Sequence, residues 1–171
     1  MTIASNAAFV ATLCFAATTV WAGVMDLMTM KIRNDLILLL LVIYAALAPL
    51  AGFSAVEIGM STAVAFAVLI CTFALFSMGW VGGGDAKLAT VVALWVGSEL
   101  TLAYLVSTAI FGGVLSLLLL QFRSMVLPTF CHRVSWIVRL HASGSGVPYG
   151  IAIASGALST FPSTRWVTIL S

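Results

Sequence analysis

The chain has 171 residues, 63% of them hydrophobic and 7% charged, with a net charge of +2 and a mean hydropathy of +1.21. Soluble domains carry about 25% charged residues, so this composition excludes them and defines an all-α polytopic membrane protein. The length suits a single membrane-embedded domain, residues 1–171.

A membrane-spanning helix needs about 20 apolar residues. The first apolar run covers roughly residues 7–25. No basic residue precedes it, which predicts a retained helix and not a cleaved signal peptide. A polar stretch follows, from Asp26 to Asp35. The second run covers residues 36–53, and Glu57 then marks a short turn. The third, residues 59–80, leads into Gly82-Gly83-Gly84-Asp85. The fourth, residues 86–97, is under ~20 Å as a helix, shorter than a bilayer core. Gly97-Ser98-Glu99 breaks it from the fifth run, residues 100–122. A basic stretch, residues 123–146, precedes the sixth run, residues 147–161.

Charge placement supports six transmembrane helices. With six crossings, Lys31, Arg33, Lys87, Arg123, Arg133 and Arg139 share one side, and Arg165, Glu57 and Glu99 the other. The positive-inside rule makes the basic side cytoplasmic and puts both termini outside. Five crossings would divide the basic residues between the two sides. Asp26 and Asp85 then lie on the same, cytoplasmic face.

Only five acidic residues occur in the chain. An ionised carboxylate beside hydrocarbon is costly, which makes Asp26 and Asp85 functional candidates. Asp26, at the end of the first run, taken alone reads more readily as a solvated loop acid beside Lys31 than as a catalytic carboxylate. The segment Gly82-Gly83-Gly84-Asp85-Ala86-Lys87 carries more information. Glycine costs about 1 kcal/mol in a helix relative to alanine. Three in a row predict a loop with positive φ or close approach of another chain. A phosphate loop is disfavoured, because no Gly-Lys-Ser/Thr follows and an acid closes the segment. Two carboxylates a few ångströms apart share a proton and titrate as a unit. The charged member can then activate water while the protonated one hydrogen-bonds a scissile carbonyl. The same acids could instead serve a small proton-coupled transporter, which would place them near mid-membrane in broken helices. The Pro148-Tyr149-Gly150 segment opens the last run from the same side, as a junction or a wall of the site.

With these motifs in order, the chain resembles the type IV prepilin peptidases, GxGD membrane aspartic proteases, and most of all their short Flp/Tad-associated form. The resembling elements are Asp26 followed by Lys31-Ile32-Arg33-Asn34, with Arg33 where the family usually has proline; Gly82, Gly84, Asp85 and Lys87; and Pro148-Tyr149-Gly150. The resemblance implies a catalytic pair, Asp26 and Asp85. It implies support from Gly82, Gly83, Gly84, Lys87, Lys31, Asn34, Pro148, Tyr149 and Gly150, with no metal or cofactor. The implied substrate is a prepilin or pseudopilin helix in the lipid bilayer of a bacterial inner membrane. Its basic leader would be cut at the cytoplasmic face, usually after glycine. No nucleic-acid partner is implied. Members that also methylate the new N-terminus carry an N-terminal extension, often with Cys-x-x-Cys pairs, so peptidase activity alone is expected here. Intramembrane GxGD proteases of the signal-peptide-peptidase type usually carry a Tyr-Asp element inside a helix, whereas Met25 precedes Asp26.

The remaining polar residues suggest ordinary roles. A helix from Phe130 would put Phe130, Val134, Ile137 and Val138 on one face and His132, Ser135 and Arg139 on the other, an interfacial segment between helices five and six. His132 and His141 lack a third ligand at metal spacing, and Cys14, Cys71 and Cys131 are isolated. Trp21, Trp80, Trp95, Trp136 and Trp166 fall near run ends as interfacial anchors. Gly112-Gly113 and Ser116 suggest a close helix contact.

Overall fold

A computed structural model describes residues 2–170, and among them the only regular structure is helical. The helices are α1 (Ile3–Thr29), α2 (Asn34–Leu50), α3 (Ala55–Ser77), α4 (Gly83–Val96), α5 (Thr101–Ser124), α6 (Ser135–His141), α7 (Gly150–Thr160) and α8 (Arg165–Thr168). Two 3₁₀ turns, Thr129–Arg133 and Phe161–Ser163, complete the order.

Helix ends follow local chemistry. The Thr2 hydroxyl accepts the Ser5 N–H at 3.2 Å to start α1. Ser54 and Glu57 form a capping box at the start of α3, so Glu57 lies in a helical first turn and not in the expected short turn. Gly97, at φ 88°, ends α4 where the break was expected.

α1, α3 and α5 are each long and apolar enough to cross a membrane, and α2 is a shorter apolar helix. This is a membrane protein. α4, with 14 residues, and α7, with 11, are shorter still. The sixth apolar run, residues 147–161, is helical from Gly150 to Thr160 as α7, and a 3₁₀ turn and the short α8 follow it. The short helices need not match lipid thickness, because protein surrounds them. Leu88, Val92, Trp95 and Val96 of α4 are buried, as are Ala152, Ile153 and Ala157 of α7. A helix apolar on every side belongs in the interior. The longer helices form the outer layer, with Leu38, Phe66, Ile70, Phe73, Leu117 and Leu120 exposed.

Lipid tails are as apolar as leucine, so helix association here rests on close packing. α7 packs between α1 and α5. A Cβ on Gly23 would lie 3.2 Å from the Ala154 Cβ and 3.3 Å from the Gly150 carbonyl oxygen. A Cβ on Gly156 would lie 2.2 Å from the Thr108 hydroxyl oxygen, and one on Gly112 would lie 2.1 Å from the Tyr149 hydroxyl oxygen. The expected close contact of α5 thus resides in Gly112, whereas Gly113 faces open space. Gly113→Ala should raise stability by about 0.5–1 kcal/mol through helix propensity. Gly112→Ala should lower it by about 1–3 kcal/mol by overpacking against Tyr149. Thermal unfolding of the two variants in one detergent checks both signs.

Away from Asp26 and Asp85 lies an aromatic cluster. Phe15 stacks on Phe161 at 4.2 Å between centroids, and Trp95 lies 5.0 Å from Trp166. The indole N–H groups of Trp95 and Trp166 donate to the carbonyls of Leu40 and Trp95, each at 3.1 Å. These two tryptophans are fully buried core residues and not interfacial anchors; Trp21 and Trp80 are exposed, as anchors require. Buried indoles are stable here because each N–H finds a carbonyl.

The basic segment does not form the expected helix from residue 130. The Thr129–Arg133 turn precedes a seven-residue α6, and the Phe130 side chain lies outside the described residues. Its cations serve the backbone. Arg139 donates to the Met28 carbonyl at 3.1 Å. Arg123 donates to the carbonyls of Leu140 at 2.8 Å, Ser145 at 2.8 Å and Gly146 at 2.9 Å. Arg123 thereby fixes the loop that delivers Pro148-Tyr149-Gly150 to α7.

Candidate active site

α1 continues past the expected end and carries Asp26 inside its last turn. The helix stops at Met30, whose N–H bonds the Asp26 carbonyl at 2.7 Å. Met30 is in the left-handed region, at φ 55° and ψ 31°, the one such non-glycine among the described residues. That conformation costs an L-residue roughly 1–2 kcal/mol. It ends α1 sharply, and Ile32 then packs on Gly84: a Cβ on Gly84 would lie 3.1 Å from the Ile32 Cβ.

The glycine segment also differs from expectation. Gly82 is the N-cap of α4 at φ −68°, and Gly83, Gly84 and Asp85 form its first turn. None of the three has positive φ. Their role is close approach. A Cβ on Gly83 would meet the Phe76 ring at 3.2 Å, much as one on Gly84 would meet Ile32. Asp85 is the third residue of α4, and its Oδ2 turns back toward the N-cap; a Cβ on Gly82 would lie 2.8 Å from it.

The two acids meet. Asp26 and Asp85 line one open cavity of about 280 Å³ with Met30, Lys31, Ile32 and the three glycines. Asp26, 5% exposed, accepts the Gly150 N–H on Oδ2 at 2.7 Å. Gly150 is the first residue of α7. Each carboxylate therefore sits at the N-terminus of one of the two short interior helices. Unsatisfied N–H groups and the helix dipole make such positions favourable to negative charge. Oδ1 of Asp85 is buried and has no hydrogen-bond partner among the described residues. A buried carboxylate oxygen left unpaired is costly in a structural acid but suits one that must receive a ligand atom.

The other expected site residues divide into two groups. Lys31 and the glycines line the cavity. Asn34 and Lys87 lie outside it and join each other, the Lys87 ammonium donating to Asn34 Oδ1 at 3.0 Å. They brace the start of α2 against the first turn of α4. Pro148 is fully buried, and the Tyr149 ring packs against Gly112; of this segment only Gly150 touches an acid. Ile32 and Phe76 were not expected at the site, and Met30, which the sequence places near it with Met25, Met28 and Met78, reads there as core packing. A methionine in the left-handed region has no sequence signature, and the other two are visible only once the glycines have close neighbours.

Arg33 departs from the family's proline without consequence for the backbone. It is the N-cap of α2 at φ −73° and ψ 139°, a conformation proline adopts. Its side chain pairs with Asp35 at the surface. Arg33→Pro should therefore leave the melting temperature essentially unchanged, which side-by-side thermal unfolding of the two proteins would test.

The fold and the cavity together define an all-helical membrane protein with two acids in one cavity, each at the N-terminus of a short helix. The family model for the type IV leader peptidase family matches residues 13–117, over half the chain and including both acids, and the chain belongs to that family of peptidases. Searches of curated proteins and of solved structures returned no match.

Proposed function

We propose that this protein is an aspartic endopeptidase that removes the leader peptide of type IV, Flp-type prepilins and pseudopilins at the cytoplasmic face of a bacterial inner membrane. Asp26 and Asp85 form the dyad. The observation that carries this reading is that Asp85, whose buried Oδ1 has no partner among the described residues, lines one cavity with an Asp26 held by Gly150.

The ionised acid takes a proton from water as the water oxygen attacks the scissile carbonyl. The protonated acid hydrogen-bonds that carbonyl and donates its proton as the tetrahedral species forms. Collapse of this species breaks the C–N bond, and a proton passes from the dyad to the leaving amine. The charge-assisted bond from Gly150 suits Asp26 to the ionised role. Asp85 suits the donor role, since its free oxygen has nothing else to bind.

In this reading α1 to α5 and α7 cross the membrane, with Lys31, Arg33, Lys87, Arg123, Arg133 and Arg139 on the cytoplasmic side. The family match to a peptidase supports hydrolysis over transport. Membranes containing the protein and a Flp-type prepilin should yield pilin cut at the leader junction. Failure to cut, together with acid-dependent proton flux in proteoliposomes, would replace this reading with the transporter.

A further inference from the structure

α2 and α3 both pack on α4 and leave a groove between them. It holds about 320 Å³, lined by Ile37, Leu41, Phe66, Leu69, Val91 and Leu94 among others. Two hydroxyls border it, and both turn into their own helices: Thr62 donates to the Ile58 carbonyl at 2.7 Å and Thr90 to the Ala86 carbonyl at 2.8 Å. Neither hydroxyl is therefore free to hydrate the groove, and among the described residues the one buried hydroxyl without a partner near it is that of Tyr44, in the adjoining chamber. A second chamber of about 400 Å³ shares Leu41, Thr62 and Leu94 and runs on toward Pro49 and Ile58. From Ile37 to Pro49 the α2 wall is ~18 Å long, slightly more than one leaflet of hydrocarbon at ~15 Å.

The only charged residue in the lining is Lys87, at the end nearest Asn34 and the first turn of α4. Its ammonium is exposed and donates to a neutral amide, with no carboxylate paired to it among the described residues. An apolar channel of leaflet length with one cation at its mouth matches an amphiphile with an acyl chain and an anionic head.

We infer that the α2–α3 groove is a binding site for an anionic phospholipid, its acyl chain lying along α4 and its phosphate against Lys87. The occupant fills the space between helices that pack on α4 and not closely on each other. It also braces the first turn of α4, which carries Asp85, against the start of α2. A substrate helix suits the groove less well. The stripe Lys87, Thr90, Val91 and Leu94 lies on the side of α4 opposite Asp85, as the 100° step of an α-helix requires.

The test uses the purified full chain and compares phosphatidylglycerol with phosphatidylcholine, reading retained lipid by native mass spectrometry and melting temperature in detergent. Phosphatidylglycerol should be retained about fivefold better, as one lysine at an anionic headgroup provides. Lys87→Gln should abolish that preference, while Arg133→Gln, an exposed cation away from the groove, should keep it. Thr62→Phe, placed where the chambers join, should lower retention of both lipids and raise the melting temperature without lipid. Equal retention of both lipids by the native protein would overturn the inference, as would equal effects of the Lys87 and Arg133 variants or unchanged retention in Thr62→Phe. These readouts are independent of proteolysis, so failure of the peptidase reading leaves them untouched.

Discussion

Asp26→Asn and Asp85→Asn should each reduce prepilin cleavage by at least ~10³-fold, with normal insertion and melting temperatures close to that of the native protein. Asparagine keeps the shape of the acid and removes its charge and exchangeable proton. At Asp26 the amide oxygen can still accept the Gly150 N–H, so the α1–α7 contact survives while the base is lost. At Asp85 the replaced oxygen had no partner to lose. Because the two acids act as one unit, the double variant should be about as inactive as either single one. Native cleavage should follow a bell-shaped pH profile whose limbs belong to the pair. Full cleavage by either single variant would exclude the dyad.

Gly150→Ala should be the most damaging change outside the acids. The new methyl would lie 2.8 Å from the Asp26 Cβ and 2.9 Å from its Oδ2. Neither side can yield cheaply. Asp26 is within α1, and α7 is already tight against Gly23. Overpacking of this kind costs about 1–3 kcal/mol. A displacement near 1 Å at a reacting group can lower the rate ~10²-fold. Gly146→Ala, in open space nearby, is the matched control and should be silent. Paired measurement of kcat and melting temperature separates this steric account from loss of loop flexibility, which would affect both glycines alike.

Asp26 and Asp85 were marked in the sequence because each interrupts hydrocarbon, where an ionisable group is costly. The helical class and the break at Gly97 followed from apolar run lengths and a turn-forming residue. The reach of α1 past Asp26 was not legible, since Leu27 and Met28 extend the helix while Lys31 makes the region read as loop. The glycines were read as a loop because each lowers helix propensity; in the fold they open α4, where a Cβ would strike Phe76 or Ile32. The interior position of α4 had a signal, apolar residues on every face from Leu88 to Val96, but its partners did not. Gly150 was marked by its motif, yet nothing in the order of residues shows that its N–H reaches Asp26.

That bond joins residues separated by 124 positions, and it sets an order of events during synthesis. Translation proceeds from the N-terminus, and early segments insert before later ones exist. Both acids are therefore in place in the membrane while α7 is still to be made. Until Pro148-Tyr149-Gly150 arrives, Asp26 lacks its anchor and the cavity lacks its fixed charge. On the proposed reading, a chain not yet extended to Gly150 would carry both acids without the bond that fixes Asp26, and would remain idle.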